Sequence, residues 1–226
     1  MSRVVVIEGL IGVGKTTLCR ILEREWGARL VLEPADDNPF LASFYADPVR
    51  FAFPAQMFYL ANRYAQQQTM RQGDLFAPVV VSDYLFAKDR LFAEKTLEGA
   101  EMALYDRFAK LLEDTPVHPD FVVFLDAATD TILERISRRN ISAEQVIPAD
   151  YLDDLRTRYY RLWDRYPHAP VYVVRTDDLD YVNNPDDRAR MLALLRGWID
   201  GAPIEGAPVV YPAPPPAPLF RALAES

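Results

Sequence analysis

The chain has 226 residues, 50% of them hydrophobic and 26% charged, with a formal net charge of −8 and a single cysteine. These values suit one globular domain with a sizeable core, exclude an internal disulfide, and argue against nucleic acid as a partner, since phosphate backbones are bound by Lys and Arg. No apolar run reaches membrane-spanning length and no signal peptide precedes the first strand, so a cytoplasmic protein with no membrane partner is expected.

The first predicted strand is the β-branched run Val4 to Ile7. It leads into Gly9-Leu10-Ile11-Gly12-Val13-Gly14-Lys15-Thr16, which fits G-x-x-x-x-G-K-[ST], and then into a helix from Thr17. Strand, glycine loop and helix in that order are the context a phosphate loop requires. Gly9, Gly12 and Gly14 let backbone N–H groups turn toward phosphate oxygens, and the helix N-terminus adds positive potential. Lys15 is placed to reach the outer phosphates and Thr16 to offer its hydroxyl to Mg²⁺, with Thr17 beside them. A nucleoside triphosphate, ATP with Mg²⁺, is the expected ligand. Cys19 falls on the same helix and reads as a small buried thiol.

Arg29 to Leu32 reads as a second strand, and Pro34 holds Glu33 extended at its carboxyl end, the edge where open α/β sheets bind ligands. Asn38 is a plausible helix cap, and a long helix is expected from about Pro54 to Arg71. Within it Gln56 and Arg63 are seven residues apart and share a face, pointing either to solvent or to a ligand. Val79 to Ser82 forms a third strand ending in Asp83, which either assists Mg²⁺ or caps the next helix. Leu85 to Glu113 reads as helical with a break near Gly99. Phe121 to Asp126 is the fourth strand, and Thr129 or Asp130 caps a helix carrying Arg135, Arg138 and Arg139. Arginines closing over a triphosphate belong to phosphoryl-transfer sites, and that reading is preferred here to a solvated surface. A helix from Tyr151 to Arg165, a strand from Val171 to Val174 and a helix from Pro185 to Ile199 complete the alternation. The expected architecture is α/β, with a parallel five-stranded sheet covered by helices on both faces. After about residue 200 the prolines from Pro203 to Pro218 predict polyproline II or disorder, dividing the chain into a domain over 1–200 and a Pro-rich tail over 201–226.

Taken together, these motifs resemble the deoxynucleoside kinase family of P-loop enzymes. The resemblance runs from Val4 to about Trp163. It rests on Ile7-Glu8-Gly9 through Thr17, Glu33-Pro34, Asn38-Pro39-Phe40-Leu41 with Phe44-Tyr45, Gln56, Arg63, Ser82-Asp83-Tyr84 with Asp89, and Arg135-Ile136-Ser137-Arg138-Arg139. Glu144-Gln145 and Ile147 to Leu152 follow. The resemblance implies a three-layer P-loop nucleoside kinase fold with an arginine-bearing lid, and transfer of the ATP γ-phosphate to a deoxynucleoside 5′-hydroxyl. It implies Glu33 as general base, Tyr45 and Glu144 on the sugar 3′-hydroxyl, and Gln56 on the base edge with Arg63 and Asp89. Arg135 and Arg139 would be lid arginines, Asp83 would assist the metal, and the assembly would be a homodimer. One position departs: Tyr84 stands where the family commonly has an Arg, with Lys88 and Arg138 as candidate replacement cations.

Two other readings compete. A nucleoside monophosphate kinase of the thymidylate kinase type shares the loop and the lid, but its acceptor phosphate calls for cations rather than Glu33. A regulatory P-loop ATPase would turn over without an acceptor. For the base, Asp89 accepts hydrogen bonds and Arg63 donates them, which favours a purine or cytosine deoxynucleoside, deoxyadenosine slightly first.

Overall fold

The computed structural model describes residues 2–33, 37–71, 77–112, 117–141, 144–201 and 210–211. Pro34, Asp36, Glu113 and the tail prolines of the sequence reading lie outside these residues. In chain order the elements are β1 (Arg3–Gly9), α1 (Lys15–Trp26), β2 (Arg29–Val31), α2 (Leu41–Ala46), α3 (Pro48–Arg71), β3 (Val79–Ser82) and α4 (Lys88–Thr96). They continue with α5 (Gly99–Leu111), β4 (Phe121–Asp126), α6 (Thr129–Arg139), α7 (Ala149–Trp163), β5 (Val171–Arg175), α8 (Pro185–Asp200) and β6 (Val210–Tyr211).

One sheet has the order β2-β3-β1-β4-β5-β6, with the first five strands parallel and β6 antiparallel to β5. Continuous apolar runs make the central strands suitable for burial on both faces; Ile7 and Val122 to Leu125 are fully buried. From β1 the chain runs outward to β2, returns to β3 beside β1, and then crosses to β4 on the other flank. The carboxyl ends on either side of that crossing are where an α/β sheet opens a ligand crevice. Glu8, Glu33 and Asp83 all stand at or just beyond the carboxyl ends of β1, β2 and β3.

Several local expectations shift. The helix expected from Pro54 begins at Pro48 instead, so Pro54 lies inside α3. The start is set by Asp47, whose carboxylate accepts the Arg50 N–H at 3.3 Å, with Pro48 in the first helical position. Asn38 closes a turn onto the Phe40 N–H at 2.9 Å rather than capping a helix, and donates to the Ala55 carbonyl. Neither Thr129 nor Asp130 caps α6, which begins at Thr129 after Ala128 with no side-chain cap. The break near Gly99 is real and separates α4 from α5. Asn184 caps α8 through the Asp186 N–H at 2.9 Å. Cys19 is buried in the core beside Leu18 and Leu22.

The tail contributes more than the prolines suggest. Val210 and Tyr211 pair with Tyr172 and Val171, extending the sheet to six strands, and Tyr211 packs 6.3 Å from the Tyr160 ring. Ending the chain after Gly206 removes β6 and Tyr211 but no residue of the cavities described below. We expect unchanged kcat and a Tm lower by about 2–4 °C, as for a loss of about 1 kcal/mol in a chain of this size. Activity measurements with a thermal melt check this; a loss of kcat would show that the tail reaches the site.

Candidate active site

The phosphate loop is held open by its glycines. A Cβ on Gly9 would lie 2.4 Å from the Leu125 carbonyl oxygen, and one on Gly14, whose φ is +110°, would lie 2.4 Å from the Tyr181 hydroxyl. That hydroxyl donates to the Gly14 carbonyl at 3.2 Å, tying the loop to the segment after β5. Lys15 folds back over the loop and donates to the Gly9 and Leu10 carbonyls, both at 2.9 Å.

Two hollows meet at this loop. A cleft of about 720 Å³ is lined by Gly12 to Thr17, Arg135, Arg138, Arg139 and the segment from Asp177 to Asn183. A tighter cavity of about 160 Å³ lies between the sheet edge, α2, α3, α4 and α7, with Glu33, Tyr45, Gln56, Arg63, Lys88 and Glu144 in its wall. Gly12, Lys15, Thr16 and Arg139 line both. A group bound in the cleft therefore faces one bound in the cavity across the loop lysine.

Glu33 is the centre of the cavity's charge. Arg63 donates to its Oε1 through Nε at 2.9 Å and also through Nη2, while Lys88 Nζ donates to Oε2 at 2.9 Å. Burial pushes this carboxyl upward, but Arg63 and Lys88 outweigh it and hold the pKa at about 2, so Glu33 is ionised at neutral pH. Its own N–H donates to Asp83 Oδ1 at 2.7 Å, and Asp83 Oδ2 accepts from the Thr16 hydroxyl at 2.6 Å. Asp83 thus joins β3, the loop and Glu33, and does not cap α4.

The base-recognition candidates are buried rather than solvated. Gln56 is 5% exposed and Arg63 3%. Gln56 Nε2 donates to Thr96 Oγ1 at 3.3 Å, whose own hydrogen goes to the Phe92 carbonyl, and Gln56 Oε1 has no partner among the described residues. A buried acceptor without a donor costs about 1–3 kcal/mol, a deficit that a bound N–H donor removes. Arg63 also donates to Asp89 Oδ1, and the Tyr105 hydroxyl donates to Asp89 Oδ2 at 2.6 Å. Asp89 consequently sits behind Arg63 and outside the cavity wall, with burial pushing its carboxyl above the usual range. Aromatic rings close the cavity: Phe44, Tyr45, Tyr59, Phe92 and Tyr151.

The three arginines of α6 differ. Arg135 is anchored, donating to the Thr176 hydroxyl at 2.9 Å, the Thr176 carbonyl and the Val13 carbonyl at 3.3 Å. Arg138 is 81% exposed and near Glu134 at 3.7 Å. Arg139 lines both hollows and lies 3.5 Å from Glu144 Oε1, linking the helix to the cavity. Tyr84 faces neither hollow; it is buried with Val31 and Val80, its hydroxyl near Gln67. Of the two cations considered in its place, Lys88 is the one inside the cavity.

Three groups carry more of the site than the sequence signalled. Glu8, fully buried on β1, accepts from the Leu85 N–H at 2.6 Å, the Gly9 N–H at 3.1 Å and the Tyr159 hydroxyl at 3.0 Å. A lone carboxylate in the run Val4 to Gly9 is the signal that marks it. Tyr105 and Thr96 act through Asp89 and Gln56, and nothing local to either residue announces this.

Among the described residues no cluster of three or more His, Cys, Asp or Glu has metal-binding geometry. Mg²⁺ bound with a nucleotide takes most of its ligands from phosphates and water, needing only one or two protein oxygens. The adjacent Thr16 hydroxyl and Asp83 carboxylate fit that requirement. They would hold such an ion, which would neutralise phosphate charge when bound.

Residues 5–200 match the family model described as deoxynucleoside kinase. The chain is 34% identical over 200 residues to deoxyguanosine kinase of Bacillus subtilis, covering 86% of this chain and 97% of that protein. It is 32% identical over 207 residues to deoxyadenosine kinase of Lactobacillus acidophilus, covering 85% and 94%. The fold matches a solved structure of deoxyadenosine kinase from M. mycoides with bound dATP, with a TM-score of 0.73 and 21% identity over 86% of this chain and 99% of that one. A phosphate loop at the junction of two hollows, a carboxylate in the smaller one and a match over most of the chain agree: this protein belongs to the deoxynucleoside kinase family.

Proposed function

We propose that the protein phosphorylates the 5′-hydroxyl of a deoxyribonucleoside with ATP and Mg²⁺, taking purine or cytosine bases with deoxyadenosine slightly favoured. The observation that carries this reading is the position of ionised Glu33 in an aromatic-walled cavity that shares Lys15, Thr16 and Arg139 with the larger cleft. ATP occupies the cleft with its phosphates on Gly9, Gly12, Gly14, Lys15, Thr16 and Thr17. The nucleoside occupies the cavity, its 3′-hydroxyl on Tyr45 and Glu144 and its base toward Gln56 and Arg63. The 5′-oxygen attacks the γ-phosphorus, the bond to the β-phosphate oxygen breaks, and the hydroxyl proton passes to Glu33. In a loose transition state that proton leaves late, so a weakly basic carboxylate suffices and positioning with charge stabilisation carries the rate. Arg139 stabilises the charge spreading over the transferring group, while Arg135 fixes α6 against the loop.

The base preference rests on Gln56 and Arg63. Gln56 Oε1 requires a donor and Arg63 offers donors only. Adenine supplies an amino group beside N7, cytosine an amino group alone, and guanine two acceptors. Asp89 contributes by holding Arg63 in place. The proposal extends to a cytoplasmic homodimer: Leu104, Phe108 and Leu111 form an exposed apolar row on α5, the kind of face a second copy covers. No helix among the described residues is long and apolar enough to cross a membrane.

Glu33→Gln should retain ATP and nucleoside binding and lose turnover by about 10²-fold or more; steady-state kinetics beside binding titrations check this, and near-normal turnover rules out Glu33 as the base. Arg139→Ala should lower kcat more than it weakens binding of either substrate. A change confined to the acceptor KM would make it a binding residue only. A panel of four deoxynucleosides should show the highest kcat/KM for deoxyadenosine and the lowest for thymidine. Arg63→Met should narrow that gap while slowing every substrate, because Glu33 also loses a cation. A wild-type preference for thymidine would overturn the base assignment.

A further inference from the structure

Lys88 begins α4, five residues after Asp83, and its side chain turns inward until the residue is 4% exposed. Its ammonium lies 2.9 Å from Glu33 Oε2 and 3.7 Å from Glu8 Oε1. An ammonium has three hydrogens. One is spent on Glu33, and Glu8 lies beyond hydrogen-bond distance and already has three donors of its own. Lys88 also lines the cavity that contains Gly12, Lys15, Thr16 and Arg139.

Lys15 approaches the same space from the loop, with two of its hydrogens on the Gly9 and Leu10 carbonyls. Two ammonium groups, the buried Lys88 and the half-buried Lys15, thus line one cavity, and Lys88 is the charge that most depresses Lys15 after burial itself. Like charges brought together away from water repel strongly, and an anion between them turns that repulsion into attraction. Glu33 does not fill this role alone, since Arg63 already neutralises it from the other side. The cavity that both lysines line is also lined by Glu33 and by Gly9, Gly12 and Thr16 of the loop.

We propose that Lys88 is a catalytic residue of phosphoryl transfer, holding Glu33 Oε2 with one hydrogen and donating another to an oxygen of the phosphoryl group as it crosses to the nucleoside 5′-oxygen. The inference rests on the deoxynucleoside kinase reading above. Lys88 stays protonated throughout. The new O–P bond forms at the 5′-oxygen, the old one breaks at the β-phosphate, ADP leaves, and the hydroxyl proton ends on Glu33. Lys15 grips the group from the donor side and Lys88 from the acceptor side, so both ends of the transfer meet a fixed positive charge.

A structural ion pair and a catalytic cation predict different behaviour for Lys88→Met. A merely structural lysine would weaken nucleoside binding together with turnover. The proposal instead expects kcat to fall about 10²-fold or more, with the dissociation constants of ATP and deoxynucleoside within about threefold of wild type. It further expects loss of the complex that wild type forms with MgADP, aluminium fluoride and deoxynucleoside, a mimic of the group in flight. Lys88→Gln, which keeps an N–H donor for Glu33 but no charge, should behave alike and decides the matter if the Met variant does not fold. Either folded variant with kcat within about threefold of wild type, or with an undiminished aluminium fluoride complex, overturns the role of Lys88. Wild-type protein that phosphorylates no deoxynucleoside overturns instead the reading on which the inference rests.

Discussion

The site depends on burying charge in pairs. Glu33 and Asp89 pair with Arg63, Glu33 and Glu8 lie within reach of Lys88, and Glu8 and Asp89 are almost wholly buried. Removing one partner of a buried pair leaves the other uncompensated, at a cost of about 3–5 kcal/mol. The network therefore dictates how the helices sit on the sheet. Gln56 and Arg63 ascend α3 while their partners Thr96 and Asp89 descend α4, so the two helices must run antiparallel with the cavity between them. Tyr105 from α5 and Tyr159 from α7 then seal the network by donating to Asp89 and Glu8.

That arrangement reconciles an acidic protein with an anionic substrate. A formal charge of −8 says nothing about the local field where Lys15, Lys88, Arg135 and Arg139 line the two hollows that meet at the glycine loop. The acidic partners in the same region set the direction of that field. They hold the cations in place while leaving part of their donor capacity facing the cavity. The Gln56 carbonyl, without a donor among the described residues, tells the same story on the neutral side, since a bound N–H donor removes its deficit.

The parts of this site readable from sequence are those written locally. The glycine loop is contiguous, the strand-end carboxylates Glu33 and Asp83 follow β-branched runs, and Gln56 and Arg63 sit at a helical spacing that puts them on one face. Lys88 was readable only as one of two possible cations, because an isolated lysine near a helix start has the same local signature whether it faces water or a buried carboxylate. Thr96 and Tyr105 matter through partners 40 and 16 residues away, separations no local pattern encodes. The fold shows the same division. Five parallel strands follow from hydrophobic runs, whereas β6 depends on two residues, Val210 and Tyr211, finding the free edge of β5. The start of α3 lies at Pro48 and not at the expected Pro54, because Asp47 and Pro48 already provide a helix opening.

The choice of cation at each position follows from its geometry. Arg63 serves two carboxylates on different elements at once: Nε and Nη2 meet Glu33 while Nη1 meets Asp89. Only a planar fork with several donors at fixed angles spans such a pair, and its face also rests 5.1 Å from the Tyr59 ring. A lysine there would satisfy one carboxylate and strand the other. At position 88 the requirement is the opposite. The ammonium is a compact charge on a flexible stem, able to keep Glu33 while turning its remaining hydrogens toward the cavity. A guanidinium would bring more bulk into a hollow of about 160 Å³ that also has to admit a substrate. One cation is rigid because it holds two fixed points, and the other is compact because it leaves room for a third.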